Sequence, residues 1–60
     1  MKEYIEIEKQ LPRENQNVFI FYNSEDVIKR TRGFYFTNGL KPTFASYGSD
    51  IQNVVGWLPR

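Results

Sequence analysis

The chain contains no cysteine and no histidine. Without Cys there is no disulfide staple and no thiol nucleophile; without His the commonest general base is missing. An ordinary structural zinc site needs those same residues and is excluded with them. No apolar run approaches the roughly 18 residues of a membrane span, and no charged-then-apolar leader opens the sequence. Charge of one sign is also lacking. Eight Lys and Arg against seven Asp and Glu leave a net charge of +1, whereas a strongly electrostatic nucleic-acid binder shows a clear basic excess. Gly33, Gly39, Gly48 and Gly56 stand singly, so there is no glycine-rich phosphate loop. These absences predict a single cytoplasmic domain over residues 1–60, with no membrane segment, no metal and no cofactor, and they disfavour nucleic acid as a partner.

What the chain has is ring bulk. One Trp, four Tyr and five Phe lie among sixty residues, and each such side chain can bury roughly 150–250 Å². A chain of this length is near the lower limit for independent folding, so the rings are expected to supply the core. Assembly into a homo-oligomer is a second route to sufficient burial.

The hydrophobic pattern is that of strands. "EYIEIE" (3–8) alternates, with Ile5 and Ile7 on one side and Tyr4, Glu6 and Glu8 on the other, as in a half-buried strand near an edge. "KQLPRENQN" is a loop, because Pro12 lacks an amide donor and Asn15 and Asn17 favour turns; Leu11 is expected to fold back and plug the core. "NVFIFYN" (17–23) is apolar on both faces and reads as a central strand. "NSED" is a turn, "VIKRT" a partly exposed strand that breaks at Gly33, and "FYFT" the next strand, closed by the hairpin signal Asn38-Gly39. Residues 40–53 are expected to be irregular, with one short helical turn near residues 42–48. "VVGWLPR" closes the chain as a strand with Val55 and Trp57 on one face and Val54 and Leu58 on the other. The predicted fold is mainly β: a twisted antiparallel sheet of four to five short strands curling into a half-open barrel.

"RTRGFYF" (30–36) raises a functional question. On a strand, Phe34 and Phe36 project from one face about 7 Å apart, a spacing suited to two stacked bases, with Arg30 and Arg32 placed for phosphates. Against this, Tyr35 stands where RNA-recognition sheets want a small residue, and Thr37 where they want an aliphatic one. The size of the domain argues that Phe34 and Phe36 are core instead. The residues expected to close the core are therefore Leu11, Phe19, Phe21, Phe34 and Phe36; those offered to a partner are Arg30, Arg32, Tyr35 and Trp57, although Trp57 also suits the core.

The two ends of the chain carry a family signal. "YIEIEKQLPRENQNVFIFY" places Leu11-Pro12 a fixed step before a hydrophobic strand, and "VVGWLPR" ends with Trp57 and Pro59. In these motifs the chain resembles domain-of-unknown-function family 551, a small domain frequent in phages and prophages. Tyr4 replaces the first Trp of that pattern, and Gly56 stands where members often carry His. The resemblance implies a phage or prophage accessory protein and brings no activity with it.

Catalytic candidates reduce to carboxylates. Glu6 and Glu8 would lie about 6.5–7 Å apart on one strand face, near the spacing of an inverting glycosidase pair, but neighbours along a strand point the same way and cannot straddle a sugar. Glu3, Glu14, Glu25, Asp26 and Asp50 show no calcium-loop spacing. The sequence thus favours a non-enzymatic module that docks on a host or phage protein, an inhibitor acting by occlusion being one form. Weak binding of single-stranded nucleic acid through Arg30–Phe36 is the alternative.

Overall fold

The computed structural model describes residues 3–60; Met1 and Lys2, the start of the expected 1–60 domain, lie outside the described residues. All regular structure among the described residues is strand: β1 (Ile5–Glu6), β2 (Asn17–Ser24), β3 (Val27–Asn38), β4 (Lys41–Ser46), β5 (Ser49–Asp50) and β6 (Val54–Pro59). They form one antiparallel sheet in the order β1-β6-β2-β3-β4-β5. The expected small, mainly β, antiparallel architecture is observed; the edge strand expected over 3–8 is only Ile5–Glu6, and β4 and β5 are additional strands, β5 being an edge of two residues. Such short edges offer little backbone to a stray strand. The sheet curls but does not close, because β1 and β5 do not pair.

Three two-residue loops set the register. Glu25-Asp26 (φ 52° and 67°) and Tyr47-Gly48 (φ 52° and 79°) have positive φ at both positions, as a type I′ turn requires. In Gly39-Leu40 only Gly39 is positive (φ 67°), as in type II′. These turns carry the twist that antiparallel neighbours need, so β2, β3, β4 and β5 follow one another as a meander, and β6 then crosses back to lie between β1 and β2.

The expected helical turn near residues 42–48 is absent. Residues 41–46 are strand instead, and Thr43, Phe44, Ala45 and Ser46 are all buried. Pro42 is tolerated because its missing N–H is not needed. It is the second pair beyond a two-residue loop, opposite Thr37, where the amide points away from β3, and β5 pairs only with Ala45 and Ser46.

Nor does the chain break at Gly33. β3 runs unbroken for twelve residues, its first part paired to β2 and its last part to β4. Gly33 lies at the changeover. A Cβ there would overlap the carbonyl oxygen of Ala45 and lie 2.5 Å from Ile20 Cδ1. The bare Cα lets β4 fold across the concave side of the sheet. Ser46 secures the crossing: its hydroxyl donates to the Arg32 carbonyl at 2.5 Å and lies 3.4 Å from Thr31 Oγ1.

The core occupies that concave side. Val18, Ile20, Tyr35, Phe44 and Trp57 form it, with Ile5, Ile7, Tyr22, Ile51 and Val54 packed around them. Val54 faces Tyr22 because the register slips between Phe21 and Tyr22 and leaves Val55 as the extra residue of a bulge. The expectation that Val55 shares a face with Trp57 is corrected accordingly. Trp57 sits opposite both Ile5 and Ile20, and its indole N–H donates to the Gln10 carbonyl at 2.9 Å. That bond ties the connection before β2 to the core, and Pro12 is buried beneath it, while Leu11 is 41% exposed. Leu11 therefore does not fold into the core as expected. The same connection is fixed at its far end by Glu14, whose carboxylate accepts from the Thr37 amide at 2.8 Å and the Thr37 hydroxyl at 2.6 Å.

Candidate nucleic-acid interface

Cross-strand partners share a face of the sheet, so the register identifies what lies on the convex side. Phe19 opposes Arg32 and Leu58; Phe21 opposes Arg30 and Gly56; Phe34 opposes Asn17 and Ala45; Phe36 opposes Thr43. Phe19, Phe21, Phe34 and Phe36 therefore face away from the core, on the same side as Arg30 and Arg32. Three of the four rings expected to close the core, Phe19, Phe34 and Phe36, lie at the outer surface, whereas Phe21 is buried. Phe34 is 40% exposed, Phe19 and Phe36 are half-buried, and Phe21 alone is buried, beneath the ring of Tyr4.

Tyr35 and Trp57 move in the opposite direction. Tyr35 is only 5% exposed and packs edge-on against Phe44 with ring centroids 5.1 Å apart; Trp57 is 3% exposed. Neither is on a surface that a partner could reach. The alternation in "GFYF" put Tyr35 opposite to Phe34 and Phe36, but both faces of β3 are apolar, so parity alone did not say which side is inside. The curl at Gly33 decides it.

On the outer face the aromatic groups are ordered by local contacts. Tyr4 stacks on Phe21 at 4.9 Å between centroids and lies over Gly56, where a Cβ would fall inside its ring. Gly56 is a slot for an aromatic ring. Phe34 and Phe36 are 5.7 Å apart, tilted by 31°. Arg30 holds its guanidinium 5.4 Å above the Phe19 ring, an arrangement worth about 0.5–1 kcal/mol at an exposed site. Among the described residues no carboxylate is within ion-pair distance of Arg30, Arg32 or Arg60.

Beside Phe34 lies a groove of about 300 Å³ lined by Asn17, Arg32, Gly33, Phe34, Ser46, Tyr47 and Arg60. Tyr47 and Arg60 join this groove although the sequence pattern does not mark them as site residues. Tyr47 is 90% exposed at the tip of the β4–β5 hairpin, and Arg60 is held at the rim by its backbone N–H, which donates to the Asn17 carbonyl at 3.2 Å. The signal for the first was present in "SYGS", where a Gly follows the ring between two polar residues and marks a tight turn.

A second concavity, about 520 Å³, opens at the seam between the two free edges and is lined by apolar groups including Ile7, Leu11, Pro42, Phe44, Ile51 and Val54. Glu8 is on its rim and does not share a strand face with Glu6, because β1 ends at Glu6 and the chain turns there, with the Lys9 and Gln10 amides donating to the Glu6 carbonyl. Both carboxylates nonetheless line a third concavity, about 340 Å³, together with Tyr4, Ile28 and Val55. Among the described residues no group of three or more Asp and Glu comes together in the manner of a metal site, and no helix is long and apolar enough to cross a membrane.

The chemistry available on the outer face is planar stacking and unpaired guanidinium. Rings at strand spacing can each take a base, at about 1–3 kcal/mol per base, and guanidinium groups beside them can take phosphates. Comparison with protein-family models, with curated proteins and with solved structures gave no match to this chain.

Proposed function

We propose that this protein is a non-enzymatic module that binds single-stranded nucleic acid on the convex face of its sheet. One observation carries the reading: Phe34 and Phe36 point away from the core, with Phe34 exposed beside a groove that also holds Arg32. Besides Tyr35, Thr37 and the low net charge, the sequence argues against this function because so small a domain is expected to spend those rings on its core. Val18, Ile20, Tyr35, Phe44 and Trp57 fill the core without them. The low net charge limits affinity, and the local excess of Arg30, Arg32 and Arg60 supplies attraction where the rings are. Three phosphate contacts give a slope of log K against log salt of about −2, an affinity loss of roughly 20-fold between about 50 and 200 mM salt.

The test is fluorescence anisotropy with labelled oligothymidine and oligouridine of about twelve nucleotides. Wild-type protein binds with that slope, and an Arg30→Ala, Arg32→Ala double variant binds weakly with a slope near −0.7. Failure of the wild-type protein to bind either oligonucleotide at low salt would sink the proposal.

A second reading keeps the face and changes the occupant: a phage or prophage accessory protein, working in the host cytoplasm, that docks on a host or phage protein and acts by occlusion. Its favouring observation is Leu40, fully exposed at the tip of the β3–β4 hairpin, an apolar group for which a nucleic acid has no use. The resemblance of the chain ends to family 551 supports the same setting. Arg and Tyr are also the residue types enriched in protein hot spots.

A further inference from the structure

Tyr47 combines two features that are costly for a folded protein. It holds a bulky side chain at φ 52°, in a left-handed conformation that Asn or Gly adopts with less strain, and it leaves that ring 90% exposed. A type I′ turn before Gly48 is best served by Asn. Strain at a residue that contributes nothing to the core points to a use for the ring. That ring stands on the rim of the groove shared with Phe34, Arg32 and Arg60, two guanidinium groups without a carboxylate partner among the described residues.

We infer that this groove is a nucleotide subsite. It holds one nucleotide of the bound strand, with its base against the Tyr47 ring and its phosphate between Arg32 and Arg60. The inference rests on the proposed single-strand binding and assigns it a focus. The volume fits a single small occupant, since about 300 Å³ is at the lower end of ligand-sized clefts. Phe34 and Phe36 then carry the neighbouring bases along β3, so that the strand runs from the hairpin tip across the sheet. The ligand class follows from the groups: flat rings need a flat partner, and paired guanidiniums beside them need an anion. Backbone phosphate satisfies both demands in one repeating unit.

The two roles separate experimentally. Tyr47→Asn removes stacking without removing charge, so oligothymidine affinity should fall by roughly 5- to 150-fold with the salt slope unchanged. The same variant relieves the turn, and its thermal midpoint should rise by about 5 °C. Tyr47→Phe keeps the ring and should keep the affinity. Arg60→Ala should reduce the salt slope by about 0.7. If the wild-type protein binds in a manner dependent on Arg30, and Tyr47→Asn and Arg60→Ala bind as wild type, the subsite is overturned and the outer-face reading stands. If the wild-type protein binds neither oligothymidine nor oligouridine, both are overturned.

Discussion

Replacing Gly33 by alanine tests the architecture that turns the aromatic rings outward. The backbone at Gly33 does not have a positive φ, so alanine is conformationally allowed there. A Gly→Ala change at a compatible position normally stabilises by about 0.4–1 kcal/mol through the unfolded chain. Here space opposes it. The new Cβ would overlap the Ala45 carbonyl oxygen and sit 2.5 Å from Ile20 Cδ1, well inside the 3.0 Å that real Cβ atoms respect. The first obstacle is backbone and cannot swing aside, so β4 must retreat from β3. Its retreat breaks the bond from Ser46 to the Arg32 carbonyl, about 1 kcal/mol, and adds overpacking strain of about 1–3 kcal/mol. After the gain in the unfolded chain, the net loss is about 1–3.5 kcal/mol. A chain of sixty residues has a total stability of roughly 3–9 kcal/mol, so the thermal midpoint should fall by about 5–25 °C. Urea unfolding followed by the fluorescence of Trp57, the sole tryptophan and 3% exposed, reads this directly. A variant as stable as the wild type, or more so, would refute the close crossing of β4 over Gly33.

Two further substitutions test separate ties. Gly56→Ala should expel the Tyr4 ring from its slot and uncover Phe21, costing about 1–2 kcal/mol; loss of the ring-current shifts between Tyr4 and Phe21 would register it, and unchanged shifts would contradict it. The Glu14 carboxylate is held below its ordinary value of 4.5 first by the Thr37 hydroxyl and then by the Thr37 amide. Because folding lowers this pKa, its contribution is complete above 4.5 and disappears as pH falls through the lower folded value. The gap in urea midpoint between wild type and Glu14→Gln should therefore shrink from about pH 6 to about pH 3; a constant gap would contradict the tie.

Much of the strand content was legible because alternation is a local property. "NVFIFYN" and "VVGWLP" announce themselves, and Asn38-Gly39 marks a hairpin. What escaped was decided by distant contacts. Gly33 reads locally as a strand break, yet its purpose is to admit β4 from ten or more residues away. The bulge at Val55 moves Val54 to the core face beside Tyr22, and nothing in "VVGW" signals it. Leu11 looks like a plug by hydrophobicity, but it is exposed beside a buried Pro12, in a connection tied to the core by the Trp57–Gln10 hydrogen bond. Phe19, Phe34 and Phe36 were assigned to the core because rings are usually buried. A sheet apolar on both faces has two candidate interiors, and only the direction of its curl chooses between them. The candidate site was thus half visible: Arg30, Arg32, Phe34 and Phe36 could be named from the sequence, whereas Tyr47 and Arg60 join them only in three dimensions.

The most direct test is a map of amide shifts as oligothymidine is titrated into isotope-labelled protein at low salt. Binding on the convex face predicts progressive shifts at Phe19, Arg30, Arg32, Phe34, Tyr47 and Arg60, with the seam residues Ile7, Leu11 and Ile51 unmoved. Shifts confined to the seam, or none anywhere, would contradict the account.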